Sequence, residues 1–401
     1  MSLFPFSEAE ALAVAASLGT PCFAYRLDIA ASRFAELRAA LPGRVRLAYA
    51  VKANPHPGLL AAFAARGSWF DAASGGELER LAAAGVEGGR VLLGGPGKAP
   101  EEIALALELG ARIQVDGIED LERIDEALAA GGPAAQAGGP PLPVNLRVHP
   151  APDPGAAFGE TSRIIGGSGP SAFGVDEEGL GPFLAQARRF GRIRIAGLQV
   201  FAASNEREAE RLLSSHRAAL AIGRRLQEEL GRPLDLVDLG GGLGIAYAEG
   251  EAELDVGRLG RGLAGLLAEN PWFEGQLVLE PGRWLSGPCG AYLARVLRVK
   301  ESRGTRFAIL EGGINHLLRP LLTGQCFPAA APGARGPSSP LTLAGPLCSS
   351  LDRLGEVELP ALRAGDLVML GQAGAYGFTE AMGDFLSHPR PAERCYERSP
   401  L

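Results

Sequence analysis

The sequence has no cysteine pair at metal-ligand spacing. Its five cysteines, Cys22, Cys289, Cys326, Cys348 and Cys395, are odd in number, far apart and without a CxxC. This argues against a disulfide framework and a zinc site, and it favours a reducing, cytoplasmic compartment. The five histidines are equally scattered, so no metal site is expected. No apolar run approaches the roughly 18 residues of a membrane span. The opening MSLFPFSEAEALAVAASLG lacks a basic n-region and carries acids within its apolar part, so no secretory signal is read. Basic blocks are missing as well: Lys and Arg total 39 against 46 acidic residues, a net charge of −7 with the signs interleaved, and neither nucleic acid nor membrane is expected as a partner.

What is present is the composition of an ordinary globular protein, with 46% hydrophobic and 21% charged residues in 401, enough for two or three domains. A strand, Pro21 to Leu27, is followed by helical spacing over Ala30 to Ala40. Short apolar runs then recur at Val45–Val51, Trp69–Ala72, Val91–Gly94, Arg112–Val115, Val144–Val148, Ile193–Val200, Leu234–Leu239 and Gln276–Leu279. Between them lie good helix formers at helical spacing, such as GGELERLAAAG and GIEDLERIDEALAA. Eight strands alternating with helices over roughly 250 residues predict an α/β fold, a (β/α)8 TIM-like barrel. A doubly wound sheet is the competing arrangement, because periodicity does not reveal closure.

Gly131 to Pro143 and Pro150 to Pro170, both rich in Gly and Pro, read as surface loops. From about Pro281 the helical runs thin out, and AYLARVLRVK, TRFAILEG, PLTLAG and DLVMLG alternate as half-buried strands. The expected domains are a barrel over residues 28–280 and a mostly β C-terminal domain over 281–401 that includes the N-terminal segment 1–27.

In such a barrel the chemistry sits at the C-terminal strand ends. Here those ends read Lys52, Asp71, Gly94-Gly95, Asp116, Arg147, Ser204, Gly240-Gly241-Gly242 and Glu280. A strand-end lysine can be held partly neutral and form an imine with an aldehyde, although most lysines simply reach solvent. DLGGGLG offers consecutive backbone N–H groups for a phosphate. It fits neither the dinucleotide fingerprint nor the P-loop, and a tight turn is its plainer reading. Glu280-Pro281-Gly282-Arg283 sets a carboxylate near a guanidinium, either for a cationic ring nitrogen and a phosphate or as a structural ion pair. Together the three features meet the needs of pyridoxal 5'-phosphate.

The motifs YAVKANP, SGGELER, GPGK, LRVHP, FGV, DLGGGLG, EPGR, GPLCSSLD and GAYGF occur in the order found in the fold-type III pyridoxal-phosphate decarboxylases. Over nearly its whole length the chain resembles this diaminopimelate and ornithine decarboxylase family, whose fold is alanine racemase-like. The resemblance implies that Lys52 binds the cofactor aldehyde and that Glu280 keeps the pyridine nitrogen protonated, which favours decarboxylation. Ser204, Gly240, Gly241, Gly242, Arg283 and Tyr376 would hold the phosphate, with Asp71 and Arg147 supporting the cofactor surroundings. It implies also a head-to-tail homodimer in which Cys348 enters the partner's site and protonates the product carbon; otherwise Cys348 reads as a small core residue.

Departures from that pattern bear on the substrate. Gln199 and Phe201 stand where diaminopimelate enzymes have histidines, and Phe201 can still stack on the cofactor ring. Ser349 follows Cys348 where the family has an acid for a distal ammonium, and Ala172 replaces the usual lysine before FG. Ser349, Arg319 and His388 are the candidate substrate contacts, His388 reading equally as part of a surface turn. The pattern, including FLSHPRPAE, looks most like the branch acting on carrier-protein-tethered amino acids, near siderophore-pathway decarboxylases. The expected substrate is an amino acid or amino-acid conjugate lacking a distal free ammonium, either a small molecule or bound to a carrier protein; a diaminopimelate- or ornithine-type decarboxylase of a free basic amino acid is the alternative. A racemase and a non-catalytic regulator are the alternative activities.

Overall fold

The computed structural model describes residues 2–131, 139–151, 169–201 and 204–400. Most of the two loops read at Gly131 to Pro143 and Pro150 to Pro170 lies outside the described residues. The chain forms two compact units: residues 35–244 with 254–281, and residues 1–34 with 245–253 and 282–401.

The first unit is the expected barrel. Its strands are Val45–Ala50, Trp69–Ala72, Val91–Leu93, Arg112–Val115, Leu142–His149, Ile193–Gln199, Leu236–Asp238 and Gln276–Leu279. All neighbours pair in parallel, the first strand pairs with the eighth, and the fourth pairs with the fifth. Those two pairings close the sheet and rule out the doubly wound alternative.

Residue types account for these elements locally. Short runs such as VRLAYA are buried nearly throughout, as strands covered on both faces must be. The helix Gly75–Ala83 starts at Ser74, whose hydroxyl accepts the Glu77 N–H at 3.3 Å. The helix Pro100–Leu109 begins with proline and ends at Gly110, φ 75°, a conformation that favours glycine. In Ile118–Ala129 the residues Leu121, Ile124 and Leu128 form the buried stripe, each side chain stabilising the packed state by about 1.5–3 kcal/mol.

Inside the barrel, Ala48, Leu92, Leu236 and Val278 form an apolar floor. Because strand side chains alternate with period two, the residues two positions on from Trp69, Leu236 and Val278 share the floor's face. These are Asp71, Asp238 and Glu280, all buried. A polar layer therefore rests on an apolar one at the C-terminal ends of the strands.

The second unit is built on the long strand Gly290–Ser302. Its sheet runs Ala329–Ala330, Leu367–Leu370, Gly290–Ser302, Thr305–Leu310, Ser338–Ala344, Arg353–Pro360. The N-terminal strand Cys22–Arg26 pairs with both Gly290–Ser302 and Ala392–Tyr396. Phe6, Ala11, Val14, Leu293 and Met369 fill the core beneath it. Residues 28–34 and 245–253 also group here. Arg33 lies 3.4 Å over the Trp284 ring, and Tyr247 accepts a 2.7 Å hydrogen bond from Arg283.

Candidate active site

Lys52 sits in the single turn Val51–Ala53 that ends the first barrel strand. The turn is tied down by the Tyr49 hydroxyl, which donates to the Asn54 carbonyl at 3.0 Å. Strand register sets Ala50 beside Asp71, and Lys52 Nζ lies 2.7 Å from Asp71 Oδ2. The lysine side chain is 31% exposed and the carboxylate 6%. The amine is thus held from below by a buried acid while remaining open to a small molecule.

Beside the first strand, the eighth ends in Glu280, and next to it the seventh ends in Asp238. Asp238 accepts the Gly240 N–H at 3.0 Å and the Gln114 side-chain amide at 3.0 Å. Gln199 donates to Glu280 at 3.4 Å, the outer limit of a hydrogen bond. Burial pushes both carboxyls up, Asp238 well above the usual range, and Lys52 and Arg147 pull Glu280 back down. Glu280 thus lies within the electrostatic reach of Lys52 from an adjacent strand.

The glycines are required where they stand. Gly240 has φ 71°, and a β-carbon there would lie 2.8 Å from the Val200 carbonyl and 3.1 Å from the Phe201 ring. One on Gly241 would lie 2.6 Å from the Glu280 carbonyl oxygen. Phe201 therefore packs on the glycine run. Ser204 precedes Glu206, whose N–H donates to the Gly242 carbonyl at 2.7 Å, which draws that loop alongside. Arg147 lies 4.4 Å over the Phe173 ring and 3.9 Å from Asp116, which also pairs with buried Lys98 at 2.8 Å.

In the β-rich unit, Arg283 is 6% exposed and its hydrogen bonds go to uncharged groups, the Tyr247 hydroxyl at 2.7 Å and Gln325 at 3.4 Å. The Tyr376 ring lies beneath both Arg283, at 4.9 Å, and Arg319, at 4.3 Å. Arg319 is paired through two nitrogens with Glu380, at 3.0 and 3.1 Å. Cys348 is exposed on a loop fixed by Asp352, which accepts the Leu347 and Ile314 N–H groups at 2.8 Å each. Ser349 accepts the Leu351 N–H at 3.2 Å, and His388 lies within electrostatic range of Asp352.

Three groups at the barrel mouth escaped the sequence reading: buried Gln114 and Asp238, and half-buried Glu77. Asp238 was visible as the residue opening the glycine run. Glu77 was visible as the acid three residues after the helix-capping Ser74. Its carboxylate accepts the Ala73 N–H at 2.7 Å, and burial pushes it from 4.5 up to about 7, with Asp71 raising it further and Lys52 lowering it. An acid raised on folding stabilises the protein fully at low pH and loses that contribution as pH rises through the folded value. The cofactor-free protein is expected to lose stability between pH 4.5 and about 7, and Glu77→Gln to flatten that decline. Urea midpoints across this range would check it. An unchanged slope in the variant would show that Glu77 ionises freely.

These residues fit pyridoxal 5'-phosphate. In the barrel unit, glycines too crowded for a β-carbon leave backbone N–H groups able to approach a phosphate. An amine at Lys52 and a buried acid at Glu280, on adjacent strands, are the further groups such a cofactor needs.

Among known proteins, the sequence matches the family described as the pyridoxal-dependent decarboxylase, pyridoxal binding domain, over residues 27–287. It is 28% identical over 400 residues, 96% of this chain and 91% of the relative, to the L-glutamyl-(BtrI acyl-carrier protein) decarboxylase of Niallia circulans. It is 31% identical over 387 residues, 95% of this chain and 88% of the relative, to diaminopimelate decarboxylase of Zymomonas mobilis. Diaminopimelate decarboxylase of Helicobacter pylori, solved with L-lysine, superposes with a TM-score of 0.85 at 27% identity, covering 96% of this chain and 94% of that one.

Proposed function

This chain belongs to the pyridoxal-dependent decarboxylases, and from that premise we propose that it removes the α-carboxylate of an amino acid, or amino-acid conjugate, lacking a distal free ammonium, such as one tethered to a carrier protein. Ser349 carries the substrate reading. A cationic tail needs a partner acid when desolvated, and a hydroxyl does not replace one. The surroundings of Ser349 agree, because the cavity of about 250 Å3 beside it is lined also by Lys300 and Arg353. Its one acid, Asp352, is engaged by two backbone N–H groups. The relative acting on a carrier-bound glutamyl group lends further support.

Bound pyridoxal phosphate supplies an aldehyde for amines and an electron-withdrawing ring. Lys52 would hold the cofactor through its amine, which Asp71 orients at 2.7 Å. Glu280 would face the ring nitrogen and favour its protonated form. Arg283, Ser204, Tyr376 and Gly240 to Gly242 would bind the phosphate, and Phe201 would pack on the ring. Cys348 of the partner subunit gives a proton to the product carbon, so the working form is a head-to-tail homodimer; the exposure of Cys348 supports this. Five free thiols support a reducing, cytoplasmic setting.

A decarboxylase of free basic amino acids is the second reading, favoured by the diaminopimelate relatives. The two are separated by measuring carbon dioxide release from carrier-bound L-glutamate and from free meso-diaminopimelate, L-lysine and L-ornithine. The tethered substrate is expected to exceed each free one by about a hundredfold in kcat/KM, the scale of an unpaired buried charge. Comparable turnover of any basic amino acid would overturn the proposal.

A further inference from the structure

A cavity opens at the N-terminal ends of the barrel strands, the opposite end from Lys52. It measures about 530 Å3, within the roughly 300–1,000 Å3 of small-molecule sites. The first residues of five strands line it, Trp69, Arg112, Leu142, Leu236 and Gln276. Leu236 is also part of the apolar floor and Trp69 packs against that floor, so the cavity lies directly beneath it. Charge at its edge is unbalanced. Asp235 is the one acid among the lining residues, and two guanidiniums share it, Arg194 at 2.8 Å and Arg112 at 3.5 Å. A third, Arg46, donates at 3.2 Å to Gln276, a neutral group. The Arg112 and Arg194 side chains are 23% and 29% exposed, open enough to meet a solute and buried enough for its charge to matter. Burial and Arg194 both disfavour the Arg112 charge, and Asp235 offsets them only in part.

We propose that this cavity is a second binding site, for a small carboxylate with a flat apolar body: the carboxylate meets Arg112, and the body lies against Trp69, Leu142 and Leu236. The chemistry of the occupant follows from what the guanidiniums already hold. Asp235 is itself a carboxylate, and a planar guanidinium offers paired N–H donors that fit one. The apolar wall adds a demand that an inorganic anion does not meet. Asp235 is then an internal competitor, which occupies the guanidiniums until the solute displaces it. Because the cavity lies at the far end of the strands from Lys52, its occupant is neither substrate nor cofactor. The plainer function of such a cluster is to hold strand ends together, as residues at this face of a barrel commonly do. A cluster built only for that purpose pairs each guanidinium with an acid, whereas here three guanidiniums are served by one.

The test titrates the holoenzyme with 4-fluorobenzoate, followed by fluorine NMR. Wild type is expected to bind the probe saturably, and 4-fluorobenzamide, of the same shape without the charge, about tenfold more weakly, the scale of one charge-assisted hydrogen bond. Arg112→Gln is expected to weaken benzoate binding about tenfold while leaving the near-visible cofactor absorbance unchanged. Asp235→Asn removes the competitor and is expected to tighten binding by a similar factor. Should Arg112→Gln not fold, Arg194→Gln is expected to move affinity in the same direction. Inorganic phosphate is expected to displace the probe at least about tenfold less well than unlabelled benzoate. Absence of saturable binding overturns the proposal, and so does an affinity that neither the arginine variant nor Asp235→Asn changes, since the probe then sits elsewhere. Equal displacement by phosphate overturns the assignment of an apolar body to the occupant.

Discussion

Lys52→Ala is expected to abolish the near-visible absorbance of the lysine-bound cofactor and to lower kcat on the order of a thousandfold, the scale of losing a positioned acid–base group. The substitution also leaves Asp71, whose side chain is 6% exposed, without the ammonium 2.7 Å away. Stranding a buried carboxylate costs about 1–3 kcal/mol, so the variant is expected to be less stable as well as inactive. The double variant Lys52→Ala/Asp71→Asn separates the two effects. It is expected to regain stability in urea unfolding and to regain no activity. Full activity in the single variant would remove Lys52 from the chemistry and with it the mechanism proposed above. Recovery of turnover in the double variant would reduce the lysine to a structural partner of Asp71.

Two impaired proteins are expected to make one working enzyme. If Cys348 serves the partner's site, a dimer of Lys52→Ala with Cys348→Ala contains one site lacking both groups and one site lacking neither. Random exchange of subunits then yields about one quarter of wild-type activity. Alone, Cys348→Ala is expected to release product at least about tenfold more slowly, with a share diverted to aldehyde, while binding the cofactor normally. Activity that stays at the average of the two variants after mixing would show that each subunit completes its own site. The exposure of Cys348, on a loop whose N–H groups are held by Asp352, is what such a shared site requires: a fixed loop with its thiol outward.

Much of this was legible in the sequence because the signals are local. The apolar runs at Trp69–Ala72 and Arg112–Val115 became strands at the same residues, since a short β-branched and aromatic run bounded by turn residues has few alternatives. The lysine ending YAVKANP, the glycines of DLGGGLG and the acid of EPGR stood out because each closes a strand with a group that has no packing reason to be there. The strands Arg353–Pro360 and Ala392–Tyr396 were missed. The first mixes charges and glycine into its run. The second gains its ladder partner only from Cys22–Arg26, more than 360 residues earlier in the chain.

By itself the sequence determined the order of elements, the residue types at the strand ends and the membership of the pyridoxal-dependent decarboxylases. The tertiary structure decided that the sheet closes, through pairing of the fourth strand with the fifth and the first with the eighth. It decided also that Asp238 and Glu280 are buried at the ends of adjacent strands and that Asp71 lies 2.7 Å from the Lys52 amine. The physical reason is distance along the chain. Propensity and turn chemistry act over a few residues, whereas burial and charge coupling act between side chains that only closure of the barrel brings together.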